Sequence, residues 1–278
     1  MSTRLPRTLS FFLVSICFAS LPLLAAEVLF PTPLHLTRRV HESIGGGTTT
    51  VEQYCYGNRV ITVRGPITTV ADYDKSEITE IDRESGTYSI SRFDQIAKAL
   101  NPRSLPATSP SSKQAWELRK VGRAGALSTR STEIFEADRK DEAVTRHLRI
   151  GIDGSVALSK DALDVLTGSA FPANPKEEDV AIASAAKGRG LAAASQAAGG
   201  AKAAERYGLP VEQLFRFDVE GQTAEYRDVV VRVGEEVPPA DLVAIPAGAK
   251  LVESRLIKTT RMIDAIDRLP LDGLTKTP

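Results

Sequence analysis

Hydrophobic positions between residues 48 and 100 change period once, and the change separates a run of strands from a helix. Thr, Ile, Tyr and Val collect in short runs separated by Gly57-Asn58 and by the polar groups DKSE and RESG. Runs of that composition, bounded by turn residues, read as strands; residues 51–56 and 59–64 form a hairpin that feeds a meander over residues 68–92. Phe93, Ile96, Ala97 and Leu100 then fall at i, i+3, i+4 and i+7. This is a helix, with Ser91 and Asp94 as a capping-box variant and Asn101-Pro102 as its stop.

The same reading extends along the chain. Residues 101–112, NPRSLPATSPSS, are a Pro/Ser-rich surface connection. Strand-like runs follow at 114–121 and 129–137. In 144–152 Val144, Arg146, Leu148, Ile150 and Ile152 share one face, as in a half-buried antiparallel strand. Residues 159–168 form a short helix with Ser159 as N-cap. The Ala/Gly-rich insert 176–207 predicts two helical pieces with hinges at Gly188, Gly190 and Gly199-Gly200, a movable cover over the sheet; low-complexity disorder is the competing reading. Val211, Phe215, Phe217 and Val219 line one face of a further strand. Glu220-Gly221-Gln222 turns it back, and the switch from Tyr226 to the Val229, Val231, Val233 register predicts a bulge near Arg227-Asp228. Pro238-Pro239 and Ile245-Pro246 end the sheet, and an amphipathic helix runs from 253 to 269.

These elements give a mainly β, α+β domain: a curved antiparallel sheet, or unclosed barrel, covered by helices. Its expected divisions are a signal peptide at 1–26, an exposed lead-in at 27–47 with the triple glycine Gly45 to Gly47, the domain at 48–252, and a C-terminal helix and tail at 253–278.

Composition adds a compartment and removes several chemistries. Arg4 and Arg7 precede an uncharged apolar run that ends in Ala25-Ala26, the pattern of a secretory signal peptide. Cys17 lies inside that run and not after its small residues, so lipidation is excluded. The full chain has 35 basic and 35 acidic residues. Removing the leader leaves it slightly acidic, with no basic patch for nucleic acid. Cys55, in VEQYCY, is then the sole cysteine and reads as a buried thiol. His35, His41 and His147 do not cluster as metal ligands, and His147 is a solvent-face strand residue. DYDKSE begins like a calcium loop, but Glu77 stands where glycine is required and Arg83 where the bidentate glutamate belongs, so it is a hairpin turn. No nucleotide-binding or nucleophile motif occurs, and no metal or cofactor is expected.

Two separated stretches resemble a known pattern. Residues 69–93, with YDKSEITEIDRESGTYSISRF, are similar to the strand, tyrosine strand and helix segment of exported proteins of LolA/LolB-like architecture. Gly208-Leu209-Pro210, the strand pair over 215–233, and the IPAGAK run at 245–250 are similar to the closing elements of the same proteins. The insert before Gly208 is larger than that pattern needs, and Ala249 replaces its usual aromatic residue. The resemblance implies a half-barrel with a cavity suited to acyl chains, and carries over no catalytic residue. Phe215, Phe217, Tyr226, Tyr88, Trp116 and Leu148 are the residues expected to line such a cavity. The leading functional expectation is therefore an exported, non-enzymatic binding module for a lipid, lipoprotein or other hydrophobic ligand, with peripheral membrane contact. The alternatives are an envelope scaffold with a solid core and, third, a periplasmic hydrolase.

Overall fold

A computed structural model describes residues 28–43, 46–100, 116–124, 132–141, 144–167, 177–189, 205–255 and 257–258. The expected signal peptide, the 101–112 connection, the glycine hinges at 190 and 199–200 and most of the C-terminal helix lie outside them. The chain opens with β1 (Phe30–Glu42), β2 (Thr48–Gly57), β3 (Arg59–Arg64), β4 (Ile67–Asp72), β5 (Glu77–Asp82), β6 (Thr87–Arg92) and α1 (Phe93–Leu100). It continues through β7 (Arg119–Ala124), β8 (Thr132–Asp141), β9 (Val144–Leu158), α2 (Lys160–Thr167), α3 (Glu177–Ala186), β10 (Tyr207–Val219), β11 (Gln222–Gly234), α4 (Ala240–Val243) and β12 (Lys250–Leu251). All these strands join one sheet, ordered β12-β6-β5-β4-β3-β2-β1-β11-β10-β9-β8-β7. Every pairing is antiparallel except that of β12, which adds two residues in parallel to β6.

The expectation of an α+β fold covered by helices is overturned. The structure is mostly strand, the sheet is not closed, and the described residues hold only four short helices. Of these, α2 and α3 pack on β9 and β10, while α1 and α4 touch β6 and β4 at the other end. Polar side chains on the inner face of the long central strands pair with one another, as when Arg38 reaches Asp228 and Gln53, and the helices that cover this face, α2 and α3, are short. None of the described helices is long and apolar enough to cross a membrane.

Local chemistry fixes the meander. The β10–β11 turn is a two-residue connection in which Glu220 and Gly221 both take positive φ, 49° and 82°, matching the twist of the strands it joins. Asp72 accepts the Lys75 N–H in the DYDKSE turn and pairs with Arg59 Nε at 3.0 Å. At the start of α1 the backbone N–H of Arg92 is accepted by Gln95 Oε1 at 3.1 Å, the returning half of a capping box. Ser91, expected to cap this helix, is instead a buried residue of β6 paired with Ile78 of β5.

Residues 27–47, read as an exposed lead-in, instead contain β1 at the centre of the sheet between β2 and β11, with Phe30, Leu34, Leu36 and Val40 buried. The bulge expected at Arg227-Asp228 lies at Val231, opposite Thr37 and Arg38. Asp228 does not break the alternation, because it points inward and is buried as the partner of Arg38. On the same side α2 and α3 bury Leu163, Leu166 and Ile182 against Ile150, Leu209 and Val230. Ser159 caps α2 as the sequence predicts, accepting the Ala162 N–H at 3.1 Å.

Candidate functional site

The sheet forks where β10 and β11 part. Their ladder runs from Val219–Gln222 to Glu212–Val229 and stops. Beyond it, β10 from Tyr207 to Pro210 stays with β9, and β11 from Val230 to Gly234 stays with β1. Each outer pair carries register shifts at this level, at Thr37/Arg38 on one side and at Gly208/Leu209 and Pro210/Glu212 on the other. Bulges bend a strand and raise its twist, and here they turn the two halves apart. Pro210 also brings no N–H to either ladder.

A cleft of about 720 Å³ occupies this end of the sheet. One wall is the start of β1, where the register against β2 slips across Pro31-Thr32-Pro33 between Phe30 and Leu34. The opposite wall is the end of β9, and Val233 to Glu235 and Arg206 complete the rim. Side chains hold these walls in place. Asn58 Oδ1 accepts the Leu29 N–H at 2.9 Å, tying the β1 entry to the β2–β3 turn. Asp153, almost fully buried, accepts the Ser155 N–H at 2.7 Å and shapes the β9 bulge. Most of the lining is aliphatic or proline, with Thr32, Ser155 and Ser159 as uncharged polar groups and Arg206 and Glu235 as the charged ones.

Neighbouring contacts fix where those two charges sit. The Arg206 carbonyl accepts the Gly188 N–H at 2.8 Å. Beside it Glu205 pairs with Lys187 at 3.0 Å and accepts the Tyr207 hydroxyl at 3.0 Å. These bonds, led by the one from Lys187, hold the Glu205 carboxyl below its usual range. On the other rim Glu236 folds back over Gly234, whose missing Cβ leaves the space. It meets Arg232 and His35 Nδ1, the latter at 3.2 Å. His35 is buried, stacks on Tyr54 at 4.1 Å and meets Glu52 through Nε2 at 2.7 Å. Burial, then Glu52 and Glu236, raise the Tyr54 hydroxyl.

Five of the six residues expected to line a cavity do come together, in a different place. Phe215 meets Phe217 edge-on at 4.2 Å and Trp116 at 6.2 Å. It faces Leu148 on β9 and Tyr226 on β11. Burial, and then Asp228, raise the Tyr226 hydroxyl, which reaches Asp228 Oδ2 at 3.4 Å. Tyr88 lies apart on β6, where its carbonyl accepts the Val252 N–H. None of the six lines the cleft. The residues missed by the sequence reading are Phe30, Leu34, Val233, Arg206 and Glu235. Only the FPTP run at residues 30–33 hinted at them, through two prolines in a strand whose flanks alternate.

The cleft's lining is thus somewhat more apolar than polar, with Arg206 and Glu235 as its charged residues. Among the described residues no group of three or more His, Cys, Asp or Glu is arranged to hold a metal. No family model and no curated protein matches this sequence. Among solved structures, a chain titled "Structure of PNGF-II in C2 space group" aligns over 83% of this chain and 33% of its own length, with a TM-score of 0.33 and 7% identity. This chain thus spans about a third of that protein, and a likeness of that size carries no conclusion about fold or function.

Proposed function

We propose that this chain is an exported, non-enzymatic module that binds an apolar ligand in the cleft of the forked sheet. The observation that carries the reading is the cleft itself, about 720 Å³, with a lining somewhat more apolar than polar. That volume falls within the range of roughly 300–1,000 Å³ common to small-ligand sites. Acyl chains are the natural occupants of such walls, in keeping with the sequence resemblance to LolA/LolB-like proteins.

Ala157 gives the cleanest test, because it lines the cleft and is exposed. Ala157→Trp fills the site without displacing core. Wild-type protein purified without detergent is expected to yield extractable lipid, and after delipidation its melting temperature rises on adding a fatty acid, as native-state binding requires. Ala157→Trp should melt like the delipidated wild type and lose the ligand-dependent rise. A lipid-free wild type with no such rise overturns the reading in favour of a scaffold.

A further inference from the structure

The β10–β11 register, carried six residues past Glu212–Val229, would set Arg206 directly opposite Glu235. An arginine and a glutamate so placed make a stabilising cross-strand pair. Here the ladder opens before it reaches them, and they stand on the rim of the cleft, one preceding β10 and the other following β11. Both are exposed, and neither side chain has a hydrogen bond or ion pair with another described residue. Their immediate neighbours differ in this respect. Glu205 is engaged by Lys187, and Glu236 by His35 and Arg232. The fork has separated one complementary pair and left each half facing the opening.

We propose that the cleft receives an amphiphile with a zwitterionic head, its phosphate against Arg206, its primary ammonium against Glu235, and its aliphatic chain along Val28, Leu29, Val156 and Val233, which line the cleft and keep accessible surface. The proposal rests on reading the cleft as an apolar-ligand site. A guanidinium fork matches phosphate oxygens, and a carboxylate accepts from an ammonium. A head with negative charge alone would satisfy Arg206 and confront Glu235, and an uncharged sugar would leave both unmatched. Phe30 is the one aromatic ring in the lining, so the walls favour an aliphatic chain over a flat aromatic ligand.

The test measures binding of three single-chain amphiphiles, each below its micelle concentration, to the delipidated full chain by titration calorimetry. They are lysophosphatidylethanolamine, lysophosphatidylglycerol and dodecyl maltoside. Rim ion pairs are worth up to about 1 kcal/mol each, so the zwitterion should bind about three- to five-fold tighter than the anion. Glu235→Gln should erase that preference, and Arg206→Gln should weaken both phospholipids by a similar factor while leaving the maltoside unchanged. Melting curves check that these exposed substitutions leave the fold intact. Equal affinity for all three in the wild type, or an unaltered ranking in both variants, overturns the zwitterionic head while leaving the apolar site standing. Binding of none of them overturns the apolar site itself. If both variants tighten all three ligands alike, Arg206 and Glu235 close over the cleft as a latch, and the proposal also fails.

Discussion

Arg38 donates from Nε and from an Nη to the two carboxylate oxygens of Asp228, its other Nη reaching Gln53 Oε1 at 2.9 Å, on the inner face of the central strands β1, β11 and β2. Asp228 is 4% exposed and the Arg38 side chain 17%, so the carboxylate has left water and the guanidinium has largely done so. Removing one member of a buried pair leaves an uncompensated charge and costs about 3–5 kcal/mol, whereas replacing both with apolar groups costs far less. Arg38→Met and Asp228→Leu should each lower the urea stability by that amount, and the double variant should be more stable than either single one. Additive losses in the double variant would show that the two do not act as a unit.

Cys55 should behave as an inert thiol. It is 1% exposed and lies opposite Leu34 and Val60 in the β1–β2–β3 ladder. Burial pushes its thiol up from 9.0 to about 12. A raised value in the fold contributes stability that is complete below the unfolded value and is lost as the pH climbs through the folded one, here between about pH 9 and 12. Native protein should react with a thiol reagent only as fast as it opens, and Cys55→Ser should cost about 1–3 kcal/mol from an imperfectly paired buried hydroxyl. Prompt labelling at neutral pH would contradict the packing.

Glu133 has the opposite sign. Lys120 Nζ at 2.5 Å and Arg189 Nε at 3.0 Å bond to its carboxylate, and those bonds, led by the one from Lys120, hold its carboxyl below the usual range. A lowered carboxyl contributes stability that is present above its unfolded value and lost as the pH falls through the folded one. Amides of β7 and of the α3 terminus should therefore lose exchange protection below about pH 4. Glu133→Gln should show the weaker protection already at pH 7 and little further change on acidification.

Arg189 bolts the end of α3 to the sheet. Its guanidinium lies 4.4 Å from the Phe135 ring centre and donates to the Ala185 carbonyl as well as to Glu133. Arg189→Ala should lower stability by about 1–3 kcal/mol, the sum of a charged hydrogen bond and a cation–π contact. Because the adjacent Gly188 holds the Arg206 carbonyl, the variant should also weaken phospholipid binding, which calorimetry on the folded protein can read separately.

Local chemistry made much of the fold legible. Turn residues at Gly57-Asn58, DKSE, RESG and Glu220-Gly221 located the hairpins, and the Ser159 cap located α2. What the sequence hid was long-range. No local pattern shows that Leu34 and Leu36 lie between β2 and β11, because that placement depends on pairing with residues about 200 positions away. Asp228 read as a break in alternation, since a buried carboxylate looks like an outward one until Arg38 is seen beside it. The cleft was hidden for the same reason, because a fork is a property of where pairing stops. Inward aromatic residues were visible, and they marked a packed cluster instead.

That cluster makes the last prediction decisive between two locations for the ligand. Phe215 sits edge-on between Trp116 and Phe217 and faces Leu148, which is 2% exposed. Phe215→Ala should therefore cost about 3 kcal/mol, the lower end for emptying a packed aromatic site, since Phe215 is itself only half-buried. Trp116 is the chain's single tryptophan, so its emission reports this cluster alone. It should shift on urea unfolding and stay unchanged when lysophosphatidylethanolamine fills the cleft, because neither Trp116 nor Phe215 lines it. Phe215→Ala, although less stable, should bind that lipid with wild-type affinity below its melting temperature. A ligand-induced change in Trp116 emission, together with lost binding in Phe215→Ala, would move the ligand from the fork to the aromatic face.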